Sequence, residues 1–299
     1  MSFDVRFQVL TLPSQPYANY RRQVLHIEEL GFDIASVPDH FCDWANPPAY
    51  WMECWTLMGA LAVETSTIRL STNVSQIPLR NPGVLAHQAA TVDQISGGRL
   101  ELGLGTGLMI DPGTEMIGMP NWSNGERVAR FGEYIELVGL LLRQDVTSYD
   151  GEYYQAKDAV MNPSSTQSPR IPVVAAALGP KMMGHTAKWA DTWNTMSFDP
   201  DFAMQREELT SRSQQMDEFC ISADRDPATL RRSANLFDAT ARAAGGRLRY
   251  YDDEALFTSL VEGLIEGGYT DIGLYYPSDP DQVPAFEHLA TTVVPGFRR

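Results

Sequence analysis

Along the first segment Val5, Phe7 and Val9 alternate with Arg6 and Gln8, the two-residue period of a strand with unlike faces, and Pro13 and Pro16 end it. Over 17–30 the apolar spacing becomes helical, and Gly31 stands as a C-cap. The alternation then recurs. It predicts strands over 34–38, 68–74 and 100–105, separated by helices over 51–64 and 83–95 and followed by a helix over 125–142. An extended hairpin over 145–155 turns around Asp150 and Gly151. Beyond it come a strand over 171–177, a helix over 181–189, and strands over 192–196, 233–237 and 271–275, with helical stretches over 201–221 and 254–266. Short strands alternating with helices make parallel βαβ units, and eight of them predict a single (β/α)8 TIM barrel spanning residues 1–299. An open doubly wound sheet has the same periodicity, because alternation counts strands without saying whether they close. The Pro/Ser-rich stretch over 162–172 is a loop inside that domain.

Composition narrows the partners. The 299 residues are 43% hydrophobic and 20% charged, a globular balance at a length common for one barrel. With 38 acidic against 23 basic residues the formal net charge is -15, and no Lys/Arg-rich tract occurs. This argues against nucleic acid or an anionic membrane as partner and leaves a small-molecule ligand. An anionic ligand must then be met by local donors such as helix N-termini. The N-terminus lacks a signal-peptide core and no apolar run reaches the length of a membrane span, while Cys42, Cys54 and Cys220 have no metal spacing and leave an odd thiol. A reduced, cytoplasmic protein is expected.

Catalytic groups of a parallel barrel come from the C-terminal ends of its strands. The second strand runs into Pro38-Asp39-His40-Phe41, the third into Thr72-Asn73-Val74-Ser75, the fourth into Gly103-Leu104-Gly105-Thr106-Gly107 and the fifth into Ala176-Ala177-Leu178-Gly179-Pro180-Lys181. His40 is the leading acid/base candidate, since imidazole titrates near neutrality and this one lies beside Asp39, although a histidine that merely braces the loop would occupy the same position. His26, His87, His185 and His288 fall within helices. Trp44 either walls an active site or covers the barrel rim. The glycines at 103, 105 and 107 allow close approach of a flat or phosphorylated ligand, or close packing of backbone at a barrel corner. They are not a dinucleotide fingerprint, which needs a glycine where Leu108 stands. At Gly179-Pro180-Lys181 a strand enters a helix with proline near the first position, leaving outward N–H groups suited to phosphate; an ordinary helix start with a solvated lysine looks the same. No metal-ligand spacing, Gly-x-Ser-x-Gly or P-loop occurs. A bound organic cofactor is therefore the leading source of chemistry.

These segments, in this order, resemble the bacterial-luciferase-like superfamily of flavin and deazaflavin oxidoreductases, in its branch that uses coenzyme F420. The resemblance rests on Glu29-Leu30-Gly31-Phe32-Asp33, Pro38-Asp39-His40-Phe41, Thr67-Ile68-Arg69-Leu70-Ser71, Arg80-Asn81-Pro82, the run over 95–107, Tyr149-Asp150-Gly151-Glu152-Tyr153-Tyr154 and Ala190-Asp191-Thr192-Trp193-Asn194. It implies a barrel with the ring of F420, or alternatively FMN, across its mouth, supported by a non-proline cis peptide at Asn73-Val74. It further implies that Thr106 and Gly107 contact the ring, that Ala177, Leu178, Gly179, Pro180 and Lys181 meet the phosphate, that Asp39 meets the cofactor's polar edge, and that His40 faces the reacting ring. Asp39-His40 followed by Trp44 is most similar to F420-dependent enzymes, glucose-6-phosphate dehydrogenases among them. Where those carry an acidic residue after the Gly-Thr-Gly turn this chain has Leu108-Met109, and their sugar-phosphate-binding lysines have no clear counterpart. Phe41, Trp44, Met109 and Trp51 near the mouth instead predict a small, apolar organic substrate. The expected activity is hydride transfer at the deazaflavin C5 with His40 and Trp44 as catalytic residues. The competing readings are an FMN-dependent monooxygenase, a non-catalytic flavin-binding protein and, more distantly, a hydrolase or isomerase. The resemblance also implies a homodimer. Trp51-Met52-Glu53-Cys54-Trp55 is its candidate interface, and burial in the monomer is the other explanation of that stretch.

Overall fold

A computed structural model of the protein describes residues 3–298. Eight strands form its centre: β1 (Arg6–Leu10), β2 (Ile34–Val37), β3 (Arg69–Thr72), β4 (Leu100–Gly105), β5 (Val173–Ala176), β6 (Thr192–Thr195), β7 (Arg231–Asn235) and β8 (Asp271–Tyr275). All pair in parallel in the order β3-β2-β1-β8-β7-β6-β5-β4. Leu70 opposite Leu100 and Ser71 opposite Glu101 then join β3 to β4, so the sheet has no free edge and the barrel is closed. The open-sheet alternative is removed. After the strands in turn come α1 (Tyr17–Glu29), α2 (Cys54–Glu64), α3 (Pro82–Ser96), α4 (Asn124–Leu141), α5 (Pro180–Trp189), α6 (Phe202–Ser222), α7 (Glu254–Glu266) and α8 (Val283–His288).

The strand period explains the two layers of core. Phe7, Val9, Val37, Leu70, Leu102, Trp193, Ile272 and Leu274 point outward and are buried under the helices. Their neighbours turn inward and are largely polar. Arg6 reaches across the interior from β1 to Glu101 of β4 at 2.7 Å and also holds Asp271 at 2.6 Å, while Arg69 meets Glu101 at 2.5 Å and Arg231 meets Asp271 at 2.7 Å. This ionic layer fills the N-terminal end of the barrel interior.

Local departures from the periodicity have local causes. The helix expected from residue 51 begins at Cys54, because the Glu53 carboxylate accepts the N–H groups of Trp55 and Thr56 and caps it. Of the apolar stretch 51–55, Cys54 and Trp55 are buried in the monomer, whereas Trp51 and Met52 are half-buried and Glu53 is exposed. The strand expected over 68–74 stops at Thr72. The Asn73-Val74 peptide is cis, as the resemblance implies, and Ser75–Gln76 then resumes pairing with β4. The seventh strand starts two residues early, at Arg231, since both of its arginines have carboxylate partners in Asp271 and Asp217. The predicted hairpin is present as Thr147–Asp150 and Gln155–Ala159. Of the two roles open to the β4 glycines, close packing is visible. A Cβ on Gly103 would lie 1.8 Å from the Thr72 carbonyl oxygen, and one on Gly105 would lie 2.4 Å from Val74 Cγ2.

Among the described residues no helix is long and apolar enough to cross a membrane.

Candidate active site

The loops at the C-terminal end of β2, β3 and β4 bring Asp39, His40, the cis Asn73-Val74 bond and Gly107 together, and Gln76 is the residue that joins them. Its Nε2 donates to the Asp39 carbonyl at 2.9 Å and to Asp111 Oδ2 at 3.1 Å, and lies 2.8 Å from His40 Nδ1. Asp111 Oδ2 stands 2.6 Å from the same His40 nitrogen. An ionised carboxylate only accepts, so Nδ1 carries the proton and donates to Asp111, while the two amide hydrogens of Gln76 go to Asp39 and Asp111. The unprotonated nitrogen of a neutral His40 is then Nε2. Below the ring the His40 carbonyl accepts the Trp51 indole N–H at 3.1 Å, and the indole meets the imidazole edge-on at 6.0 Å.

Charge is distributed unevenly between the two carboxylates. Burial acts to raise the Asp111 carboxyl, but hydrogen bonds from His40, Gln76 and the Gly113 amide outweigh it and hold the group below the usual carboxylate range. Asp39 is only 1% exposed, and its carboxylate faces Arg80, which also holds Glu53 at 2.5 Å. Burial raises the Asp39 carboxyl above its ordinary range against the pull of Arg80. Cys42 beside this loop is buried too, and burial pushes its thiol up, away from reactivity.

Gly107 has φ +73°, and a Cβ there would lie 2.4 Å from Gln76 Oε1. That oxygen is buried without a hydrogen-bond partner among the described residues, as is Asn235 Nδ2 at the end of β7. Buried Arg127 supports the turn from behind, donating to the Thr106 carbonyl at 2.8 Å and the Trp122 carbonyl at 2.9 Å. On the neighbouring strand, Ala177 points into the core with both backbone groups engaged, its N–H by Asn194 and its carbonyl by the Trp193 indole. Leu178, Pro180 and Lys181 are exposed, and Gly179 stands at the N-cap of α5 with no side-chain hydrogen bond to cap it. The first-turn amides of Lys181 and Met182 precede any i−4 carbonyl in the helix. A Cβ at Gly179 would meet nothing within 4 Å, so the space in front of this helix end is open.

The rim is apolar. Phe41 (52%), Trp44 (37%), Leu108, Met109, Ile110 and Leu178 are exposed on these loops. Trp44 sits on the β2 loop and shares no hydrogen bond with His40. Sequence reasoning missed Asp111, Gln76 and Arg80. Asp111 had one local signal, an Asp-Pro pair that starts a short helix; Arg80 lay within a motif used for the resemblance without a role, and Gln76 had none.

A family model described as luciferase-like monooxygenase matches residues 2–264. An F420-dependent glucose-6-phosphate dehydrogenase of Segniliparus rotundus is 32% identical over 55% of this chain and 48% of its own length, and one of Kineococcus radiotolerans is 25% identical over 91% and 90%. The chain thus spans about half the length of the first of these relatives. Among solved structures, an F420-dependent secondary alcohol dehydrogenase in complex with an F420-acetone adduct superposes with TM-score 0.83 at 18% identity, covering 99% of this chain and all of that one. The coenzyme F420-dependent tetrahydromethanopterin reductase of Methanopyrus kandleri superposes with TM-score 0.79 at 20% identity over 99% of this chain and all of that one, and both likenesses concern the fold.

Proposed function

Because this chain belongs to the luciferase-like monooxygenase family, we propose that it is an F420-dependent oxidoreductase acting on a small, apolar organic molecule, with His40 as the proton-transferring residue. The observation that carries the reading is the His40 imidazole at the barrel mouth, its Nδ1 2.6 Å from Asp111 Oδ2. The relatives named F420-dependent support the choice of coenzyme.

The residues present fit such a group. The uncapped start of α5 with open space before it suits the phosphate, through the amides of Leu178, Gly179, Lys181 and Met182 and the Lys181 ammonium, with Ala177 and Pro180 shaping the turn. Asn73, Val74, Thr106 and Gly107 would border the ring, where Gln76 Oε1 is a buried acceptor lacking a donor. Asp39, turned toward Arg80, would act at the cofactor's polar edge by fixing the loop that carries His40. When bound, the deazaflavin supplies hydride acceptance and donation at its C5. His40 exchanges the substrate proton, Trp44 walls the mouth, and the apolar rim excludes water and orients the substrate. An exposed Leu108-Met109-Ile110 run offers a sugar phosphate no charge, which supports an apolar substrate over the one named for the relatives.

The family description favours a second reading, an FMN-dependent monooxygenase on the same loops. Equilibrium titration of the apoprotein with oxidised F420 and with FMN separates them. Preference for F420 is the expected result; preference for FMN selects the monooxygenase, and binding of neither overturns both.

A further inference from the structure

Asp111 spends both carboxylate oxygens on different elements. Its Oδ1 accepts the Gly113 N–H at 2.8 Å and caps the short helix Pro112–Met116, while its Oδ2 accepts His40 Nδ1 at 2.6 Å and Gln76 Nε2 at 3.1 Å. Its side chain is 3% exposed, so water does not compete for these bonds. His40 lies 71 residues away in the chain. The segment that Asp111 caps carries rim residues: Leu108, Met109 and Ile110 precede it, and Met116 and Ile117 end it.

We propose that Asp111 is the positioning residue for His40, holding the imidazole in the Nδ1–H form so that Nε2 is presented unprotonated to the substrate. The proposal rests on the oxidoreductase reading above. Were F420 bound, it would supply the hydride acceptor for an alcohol substrate, taking the carbinol hydrogen with its electron pair. The hydroxyl proton passes to Nε2, and the carbonyl C=O forms. The imidazolium that results is paired with the Asp111 carboxylate, and the reverse reaction returns the same proton. The helix cap and the imidazole share one carboxylate, so the placement of the apolar rim and the orientation of the base are set together.

Asp111→Asn separates positioning from structure. Its side-chain oxygen can still cap Gly113, but its amide then faces His40 Nδ1 as a donor and demands the opposite tautomer. The experiment records nitrogen NMR of histidine-labelled apoprotein. The chain has five histidines, and loss in His40→Gln assigns the signal. The expected result for the neutral ring is protonated Nδ1 and bare Nε2 in the wild type, and the exchange of those two positions in Asp111→Asn. A wild-type His40 protonated on Nε2 overturns the proposal whatever the variant does, as does a variant that keeps the wild-type pattern. F420 titration of both proteins tests the underlying reading separately. Unchanged affinity in the variant is expected, whereas a wild type that binds no F420 removes the oxidoreductase reading and with it the assigned proton transfer.

Discussion

The Arg80 guanidinium, at the end of the loop before α3, pairs with the Asp39 carboxylate one residue before the imidazole that the site is built around. Both side chains are withdrawn from solvent, at 12% and 1% exposure. The pair therefore braces the β2 loop from behind.

Removing one partner of a buried pair leaves an uncompensated charge, so Arg80→Met should cost about 3–5 kcal/mol. Burial already raises the Asp39 carboxyl, and without Arg80 it rises further; an acid raised on folding loses stability as pH increases through that value. The deficit of the variant should therefore be largest near neutrality and shrink on acidification. Urea unfolding at several pH values measures it. Combining Arg80→Met with Asp39→Asn should recover much of the loss, and a double variant no more stable than the single one would refute the brace.

Gly103→Ala should be among the more damaging single-carbon changes. Its Cβ would lie 1.8 Å from the Thr72 carbonyl oxygen, and a backbone atom in a closed barrel has nowhere to move, so about 1–3 kcal/mol or more is expected. Gly59→Ala in α2 is the control. Nothing lies within 4 Å of its Cβ, and a gain of about 0.4–1 kcal/mol is expected there. Thermal unfolding of the two proteins should move in opposite directions.

For His40→Ala the expected loss in turnover is about 10²–10⁴-fold, the usual contribution of a positioned acid/base. F420 affinity should stay near wild type, since no phosphate-facing residue is touched. A variant with full turnover would remove His40 from the chemistry.

Acid should weaken the fold in a defined window. Asp238 is fully buried, and although burial acts to raise it, hydrogen bonds from Arg249 and Thr240 hold it low, as those from His40 and Gln76 do for Asp111. A carboxyl lowered on folding contributes stability above its unfolded pKa and loses it as pH falls through the folded value. Stability should be flat with respect to these groups above the ordinary carboxylate range and decline below it. Asp238→Asn should be less stable near neutrality and show a shallower acid decline, readable from denaturant midpoints. An unchanged acid slope would contradict this account.

The sequence by itself determined the alternation of eight strands with helices, because burial against the helices forces an apolar residue onto one face of each strand whatever its neighbours in space. It also marked the strand-end loops, where His40, Thr106, Gly107 and the run 177–181 interrupt that pattern, and the apolar character of the rim at Phe41, Trp44 and Met109. Only the tertiary structure decided that β3 pairs with β4 and closes the barrel, that Asp111 rather than the adjacent Asp39 holds the His40 ring, and that Arg80 takes Asp39. Periodicity reports which way a side chain faces and is silent on its partner. A hydrogen bond between residues 71 positions apart leaves no period in the chain, and it forms because closing the barrel brings three strand ends into the same few ångströms.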